Sequence, residues 1–307
     1  MKESLTEEYL WYLKNSRHRS PNTLESYQND LRQYCDFVSG CAETSHPLGT
    51  SGLSVLSKAD LSTRIMQATP ETAADFCEFL KSKFYAPTTI ARKCAAVEGF
   101  YKHLYKDGQV AENPFCNFHF VKPKRAGRIC LEDSHVAQLL NAIPGNKWLG
   151  VRDRAVVTLL YTTGVKVGEL SHLAPMDYSA NEKMLSICKP GRKTRIIFLP
   201  EQAAIILQDY LSARRQKTEG CTLAMESLFL NRDCGSLTVR SIRRKLKQYS
   251  RDAGLSFIVT PEMLRRSHAV KMLRQGVGLE ELARQLGYFS AMALKQQMEL
   301  NEIPTQP

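Results

Sequence analysis

The sequence predicts a mainly α-helical protein of the α+β type, built as two domains, with a small antiparallel sheet in the second. Three observations predict it. The 307 residues leave room for roughly two domains of about 150 residues each. Apolar residues recur at helical spacing through most of the chain. One stretch alternates instead: EKMLSICK and RKTRIIFLP flank the short turn Pro190-Gly191, a hairpin signal inside a helical half. Hydrophobic residues at 43% and charged residues at 24% are near the globular average, which excludes disorder over most of the length.

In chain order, Ser20-Pro21-Asn22-Thr23 offers an N-cap with proline at the first helical position. Leu24, Tyr27, Leu31, Tyr34 and Val38 follow on one face, and Gly40 stops the helix. Residues 40–60, rich in Gly, Ser and Thr, predict a long loop. Thr69-Pro70-Glu71 starts a helix through Leu80. Ala86-Pro87-Thr88-Thr89 starts another, with Ile90, Cys94, Val97, Tyr101 and Leu104 as its apolar face. Asn113-Pro114 ends this block, and VKPKRAGR (121–128) has the composition of a linker.

The second block opens with a helix over 131–142, then RDRAVVTLLYTTG, a strongly apolar helix ending at Gly164. After the hairpin, helices are predicted over 201–213, 236–253, 261–275 and 279–286. The helix over 236–253 is sharply two-faced. Val239, Ile242, Leu246 and Tyr249 form an apolar stripe, while Arg240, Arg243, Arg244, Lys247 and Arg251 recur at i, i+3, i+4, i+7 and i+11. No acid follows within the strip until Asp252, so its self-repulsion calls for an external anion.

The charge balance agrees. Lys plus Arg number 42 against 31 Asp plus Glu, a net +11, which favours a polyanionic partner: nucleic acid first, an anionic membrane surface second. No apolar run approaches the roughly 20 residues of a membrane span, and the opening MKESLTEEYLWYLKNS carries acids and no signal-peptide core, so a cytoplasmic protein is expected. Nine cysteines without C-x-x-C spacing read as reduced thiols, with no metal site and no cofactor. Cys188 in particular reads as a strand-buried thiol.

Five patches, in order, carry a family resemblance. SPNTLESYQNDLRQYCDFV and APTTIARKCAAVEGFYKHL are similar to two helices of an amino-terminal core-binding domain. RDRAVVTLLYTTGVKVGELSHLAPMD, TPEMLRRSHAVKML and RQLGYFSAMALKQQM are similar to three stretches of a catalytic domain. Together they resemble the tyrosine recombinases of the phage integrase and Xer type, from about residue 5 to residue 297. The resemblance implies an all-helical SAM-like domain over 1–121, a linker over 122–128 and a recombinase catalytic-type domain over 129–307. It implies a clamp of the two domains on duplex DNA, with a second copy or a second tyrosine recombinase as a further partner and no membrane.

It also implies a chemistry: attack of a tyrosine on a DNA phosphate, two arginines on the nonbridging oxygens, a hairpin lysine as acid and two assisting histidine positions. Only one of these identities survives. The first arginine falls on Lys166, which keeps the charge and loses the planar fork. The second is Arg265. The histidine positions fall on Glu262 and Tyr288, the nucleophile on Gln297, and the hairpin lysine on Pro190, with Lys189 and Lys193 beside it. No tyrosine follows Tyr288. DNA contacts are expected from Thr23, Tyr27, Arg92 and Lys93 on the amino-terminal helices and from Arg192, Lys193 and Arg195 on the hairpin. The strip Arg240, Arg243, Arg244, Lys247 and Arg251 completes the set. His268, three residues after Arg265, reads as structural. A sequence-specific DNA-binding protein without strand cleavage is the leading expectation. A recombinase with an atypical or partner-donated nucleophile, and a decayed mobile-element product without a role, are the alternatives.

Overall fold

The computed structural model describes residues 4–19, 21–40, 58–116, 129–145, 147–189, 192–219 and 226–298. Contacts divide the chain into two units, Met1–Ala126 and Gly127–Pro307. The expected linker, most of the expected 40–60 loop, the Ser20 cap and the Pro190-Gly191 turn lie outside the described residues.

The first unit consists, among the described residues, of α1 (Leu5–Asn15), α2 (Pro21–Val38), α3 (Lys58–Met66), α4 (Pro70–Ser82) and α5 (Pro87–Lys106). Proline opens α4 and α5, and the Thr69 hydroxyl caps α4 by accepting from the Thr72 amide. Helix α3 corrects the expectation of loop up to residue 60. The core is aromatic: Tyr34, Phe76, Phe100, Tyr101 and Phe115 are all fully enclosed. Their hydroxyls are satisfied in series, because Tyr101 donates to the Ile65 carbonyl at 3.0 Å and accepts from Tyr34 at 2.7 Å. Without those partners each buried hydroxyl would cost about 1–3 kcal/mol.

The second unit is built around α7 (Trp148–Thr163), which is buried on most of its circumference and packs against α9 (Glu201–Thr218) and α11 (Pro261–Arg274). Helix α6 (Asp133–Asn141) precedes it. Gly164 ends α7 in the left-handed conformation, φ +60°, where a Cβ would meet the His268 ring and Leu286 Cδ2 at 2.7 Å. A short α8 (Val167–Leu170) and a 3₁₀ turn (Pro175–Asp177) follow.

The sheet has the order β1-β2-β3, from β1 (Tyr178–Ser179), β2 (Met184–Lys189) and β3 (Arg192–Phe198), all antiparallel. Leu185 lies opposite Ile197 and Ile187 opposite Arg195, so Leu185, Ile187 and Ile197 face the core while Ile196 and Phe198 face outward. The Cys188 thiol is exposed, contrary to the strand-buried expectation, because it follows the inward-facing Ile187 and so falls on the outward face of β2. Helices α10 (Val239–Asp252), α12 (Leu279–Gln285) and α13 (Ala291–Met298) complete the unit. Among the described residues no helix is long and apolar enough to cross a membrane.

Candidate functional site

Helix α11 begins with Thr260, whose hydroxyl accepts from the Met263 amide at 3.2 Å, and with Pro261 at its first position. That start sets Glu262 at the mouth of the helix and Arg265 one turn further, facing inward. Arg265 is 6% exposed. Its guanidinium donates to the Gly164 carbonyl through Nη1 and to the Leu286 carbonyl through Nη2, the latter at 2.6 Å. Burial pushes its pKa below the usual arginine range, and the neighbouring Tyr288 and Glu169 oppose that shift.

Four of the positions singled out by sequence meet around Arg265. Lys166, Glu262, Tyr288 and Gln297 line the same cavity of about 280 Å³ as Arg265. The sequence reading missed Arg266, which also lines it and is held by donating to the Met298 carbonyl. The Tyr288 ring meets two cations: Lys166 Nζ is 5.2 Å and the Arg265 guanidinium carbon 5.1 Å from its centroid. Gln297 is exposed at the rim, on α13.

Glu262 is not the bare anion the sequence suggested. Its Oε1 accepts from Arg243 Nη2 at 2.7 Å, joining α11 to the cationic face of α10. This corrects the expectation that no acid balances the strip before Asp252. Both side chains are more than half exposed, so the pair is worth at most about 1 kcal/mol. Arg240, Arg244, Lys247 and Arg251 are exposed as expected, and an open groove of about 490 Å³ is lined by Arg244, Lys245, Lys247 and Arg251 together with Gln248 and Asp252. The opposite face of α10 is anchored by Ile242, Leu246 and Tyr249, whose hydroxyl donates to Asp153 at 2.6 Å.

Other expected contacts are committed elsewhere. Arg195 is turned inward onto Glu169 and is no free cation. Lys93 is 8% exposed, with its ammonium 3.0 Å from Asp30, which is itself buried. Arg92 holds the same carboxylate and donates to the Ser26 hydroxyl at 2.9 Å, yet keeps half its surface in solvent. Sequence could not pair Asp30 with residues 62 and 63 positions away. Thr23 and Tyr27 are half-buried, and the Tyr27 ring packs 6.5 Å from that of Tyr9. Lys189, Arg192 and Lys193 lie in the strands, and their side chains fall outside the described residues.

His268 is buried beneath Gly164, and burial, with Arg265 and Lys271 nearby, lowers its pKa to about 4. The ring is therefore neutral at pH 7, and its burial against Gly164 gives it a packing role. Among the described residues no three His, Cys, Asp or Glu side chains gather as metal ligands, and the cysteines there are free thiols.

The arrangement can hold an anion: three cations outnumber the Glu262 carboxylate on a cavity that also carries a phenol, and four cations outnumber Asp252 on the α10 groove. Comparison with known proteins gives the same chain a context. The profile of the phage integrase family matches residues 130–297, and that of the phage integrase N-terminal SAM-like domain matches residues 6–64. The tyrosine recombinase XerC of Roseiflexus sp. strain RS-1 is 30% identical over 291 residues, 92% of this chain and 85% of that protein. XerC of Halalkalibacterium halodurans is 29% identical over 91% of this chain and 87% of its own length. XerD of Listeria monocytogenes is 27% identical over 92% of this chain and 90% of its own. Among solved structures, the Tn1549 transposon integrase in complex with a circular intermediate DNA superimposes with a TM-score of 0.70 at 15% identity, covering 96% of this chain and 94% of that one. Lambda integrase bound to DNA gives 0.66 at 15% identity, covering 97% and 96%. At these identities the structures speak for the fold.

Proposed function

This chain belongs to the phage integrase family, and from that premise we propose that it is a sequence-specific binder of duplex DNA that does not cleave it, acting as a regulator or as an architectural subunit beside a second recombinase or a second copy of itself. One observation carries the reading. Gln297 lines the cavity that gathers Arg265, Lys166 and Arg266, and the family resemblance puts the nucleophile at this position, where an amide cannot form the covalent phosphate link. Losing one oxyanion-type donor costs roughly 10² to 10³ in rate, whereas losing the nucleophile removes the covalent route altogether. The integrase structures that share its fold were solved on DNA, and the net charge of +11 supports the same ligand here.

The proposed contacts are Arg240, Arg243, Arg244, Lys247 and Arg251 on α10, with Lys166, Arg265 and Arg266 around one phosphate and the exposed half of Arg92 in the first unit. Lys93 and Arg195 leave the expected set, because both are spent on buried carboxylates. Duplex affinity should fall with salt at a log–log slope of about −5 to −9, for about six to ten phosphate contacts. A flat profile removes the reading.

A second reading has one observation in its favour. Tyr288 lines the same cavity as Arg265 and Lys166 and carries the hydroxyl there that could attack a held phosphate to give the family's kind of phosphotyrosyl link. Incubation with a nicked suicide duplex separates the two. No adduct that survives denaturing gels is expected; an adduct mapped to Tyr288 makes the protein a recombinase with a displaced nucleophile.

A further inference from the structure

Arg195 stands on β3, in the hairpin expected to follow a phosphate backbone, but its guanidinium is used up inside the protein. Nη1 and Nη2 donate to the two carboxylate oxygens of Glu169 at 3.1 and 2.6 Å, and Nε donates to the Gln285 carbonyl at 3.1 Å. The Glu169 side chain is 2% exposed and that of Arg195 17%. The same Glu169 carboxylate accepts from the Lys166 amide at 3.0 Å, closing the cap of α8. On the other side, Gly287 has φ +68°, and a Cβ there would meet Arg195 Nη1 at 2.6 Å. The backbone just before Tyr288 is therefore packed onto the guanidinium with no room for a side chain.

One planar fork thus ties together three separate stretches of the chain. Two of them, 166–169 and 285–288, deliver Lys166 and Tyr288 to the cavity; the third is the hairpin. Short charge-assisted bonds in bidentate geometry are the strong class of hydrogen bond, and a lysine could reproduce the charge without the geometry. We propose that Arg195 is a positioning residue of the candidate site: its fork on Glu169 fixes where Lys166 and Tyr288 stand around Arg265, and it makes no DNA contact of its own. The effect on DNA binding rests on the cavity being a phosphate site; the bracing does not.

The test uses the full chain, two variants and two measurements. Glu169→Gln removes an anion from beside a cationic cavity. If charge alone mattered, duplex DNA would bind more tightly. Bracing instead predicts weaker binding, by about ten-fold, and a similar loss in Arg195→Lys, which keeps the charge. Hydrogen exchange on the DNA-free protein is the second measurement. In Arg195→Lys the amides of 166–170 and 285–288 should exchange at least about ten-fold faster, with those of α9 and α10 unchanged as the control for an intact fold. Tighter binding by Glu169→Gln, or unchanged exchange in both segments, overturns the proposal. If the unaltered protein does not bind duplex DNA, the functional reading falls and the exchange data alone decide whether Arg195 braces the site.

Discussion

The two units carry their cations in opposite ways. On α5, Arg92 and Lys93 point at one enclosed carboxylate, Asp30, and Lys93 is almost wholly removed from water. On α10, Arg240, Arg244, Lys247 and Arg251 stand in solvent; Glu262 pairs with the strip at one edge through Arg243, and the exposed Asp252 lines the groove at its other end. In sequence the two look alike, as basic residues on helices. The difference teaches that a basic residue informs about a ligand only after the acids that the fold folds against it have been counted. The α5 pair is closed on an internal carboxylate, whereas most of the α10 strip keeps its charge in solvent.

The comparison can be broken most severely at Asp30. Asp30→Asn leaves the Lys93 ammonium enclosed without a counter-charge, and breaking a buried pair from one side costs about 3–5 kcal/mol. Urea unfolding should register that loss in the first unit. A change below about 1 kcal/mol would mean that the pair is surface-like and that α5 and α10 do not differ in kind.

His268 extends the buried side of the comparison into α11. Its pKa is lowered from 6.5 in the unfolded chain to about 4 in the folded one, so the unfolded state binds the proton first. The associated stability is full above about pH 6.5 and is lost as pH falls toward 4, by an amount on the order of 3 kcal/mol. Unfolding free energies measured between pH 7 and 4 should decline more steeply for the unaltered protein than for His268→Gln. Parallel slopes would place the titration elsewhere.

On the exposed side, replacing Arg240, Arg244 and Lys247 by alanine together should leave unfolding within about 0.5 kcal/mol of the parent, since surface changes rarely do more. Duplex affinity should fall by about 10²-fold, and the salt slope should flatten by nearly one unit per lost contact, about three in all. A stability loss without an affinity loss would reverse the assignment of the two helices. The smallest effect belongs to Glu262→Gln, which frees Arg243 and removes an anion at the cavity mouth. Duplex binding at low salt should tighten by a few-fold at most, in keeping with a pair worth up to about 1 kcal/mol. Unchanged affinity would mean that this edge of the strip does not face DNA.

Much of this was legible in the chain, and the rest failed for identifiable reasons. SPNTL and APTTI announce α2 and α5 through a proline at the first turn, and the α10 stripe is visible because its two faces differ so strongly. Helix α3 hides behind a Gly, Ser and Thr-rich approach that resembles loop. Helix α8 has four residues and exists because Glu169 caps it, a contact that depends on the Lys166 backbone. The cavity itself was legible as positions, since Lys166, Glu262, Arg265, Tyr288 and Gln297 do meet. Its electrostatics were not. The ion pairs of Glu262 with Arg243 and of Glu169 with Arg195 bridge 19 and 26 residues, and nothing local distinguishes a carboxylate that will find such a partner from one that will not.

The two carbonyls that hold Arg265 have an evolutionary consequence. A side-chain partner can be lost by mutation, but the Gly164 and Leu286 carbonyls belong to the main chain and persist under every substitution. A shorter or apolar replacement of Arg265 would strand both acceptors beside an enlarged cavity, so folding would favour keeping this side chain whether or not any phosphate is ever cut. Lys166, Glu262 and Gln297 stand at or near the surface of the same cavity, where drift meets no such barrier. In a lineage that gave up strand exchange, this arginine would be the last of the set to go.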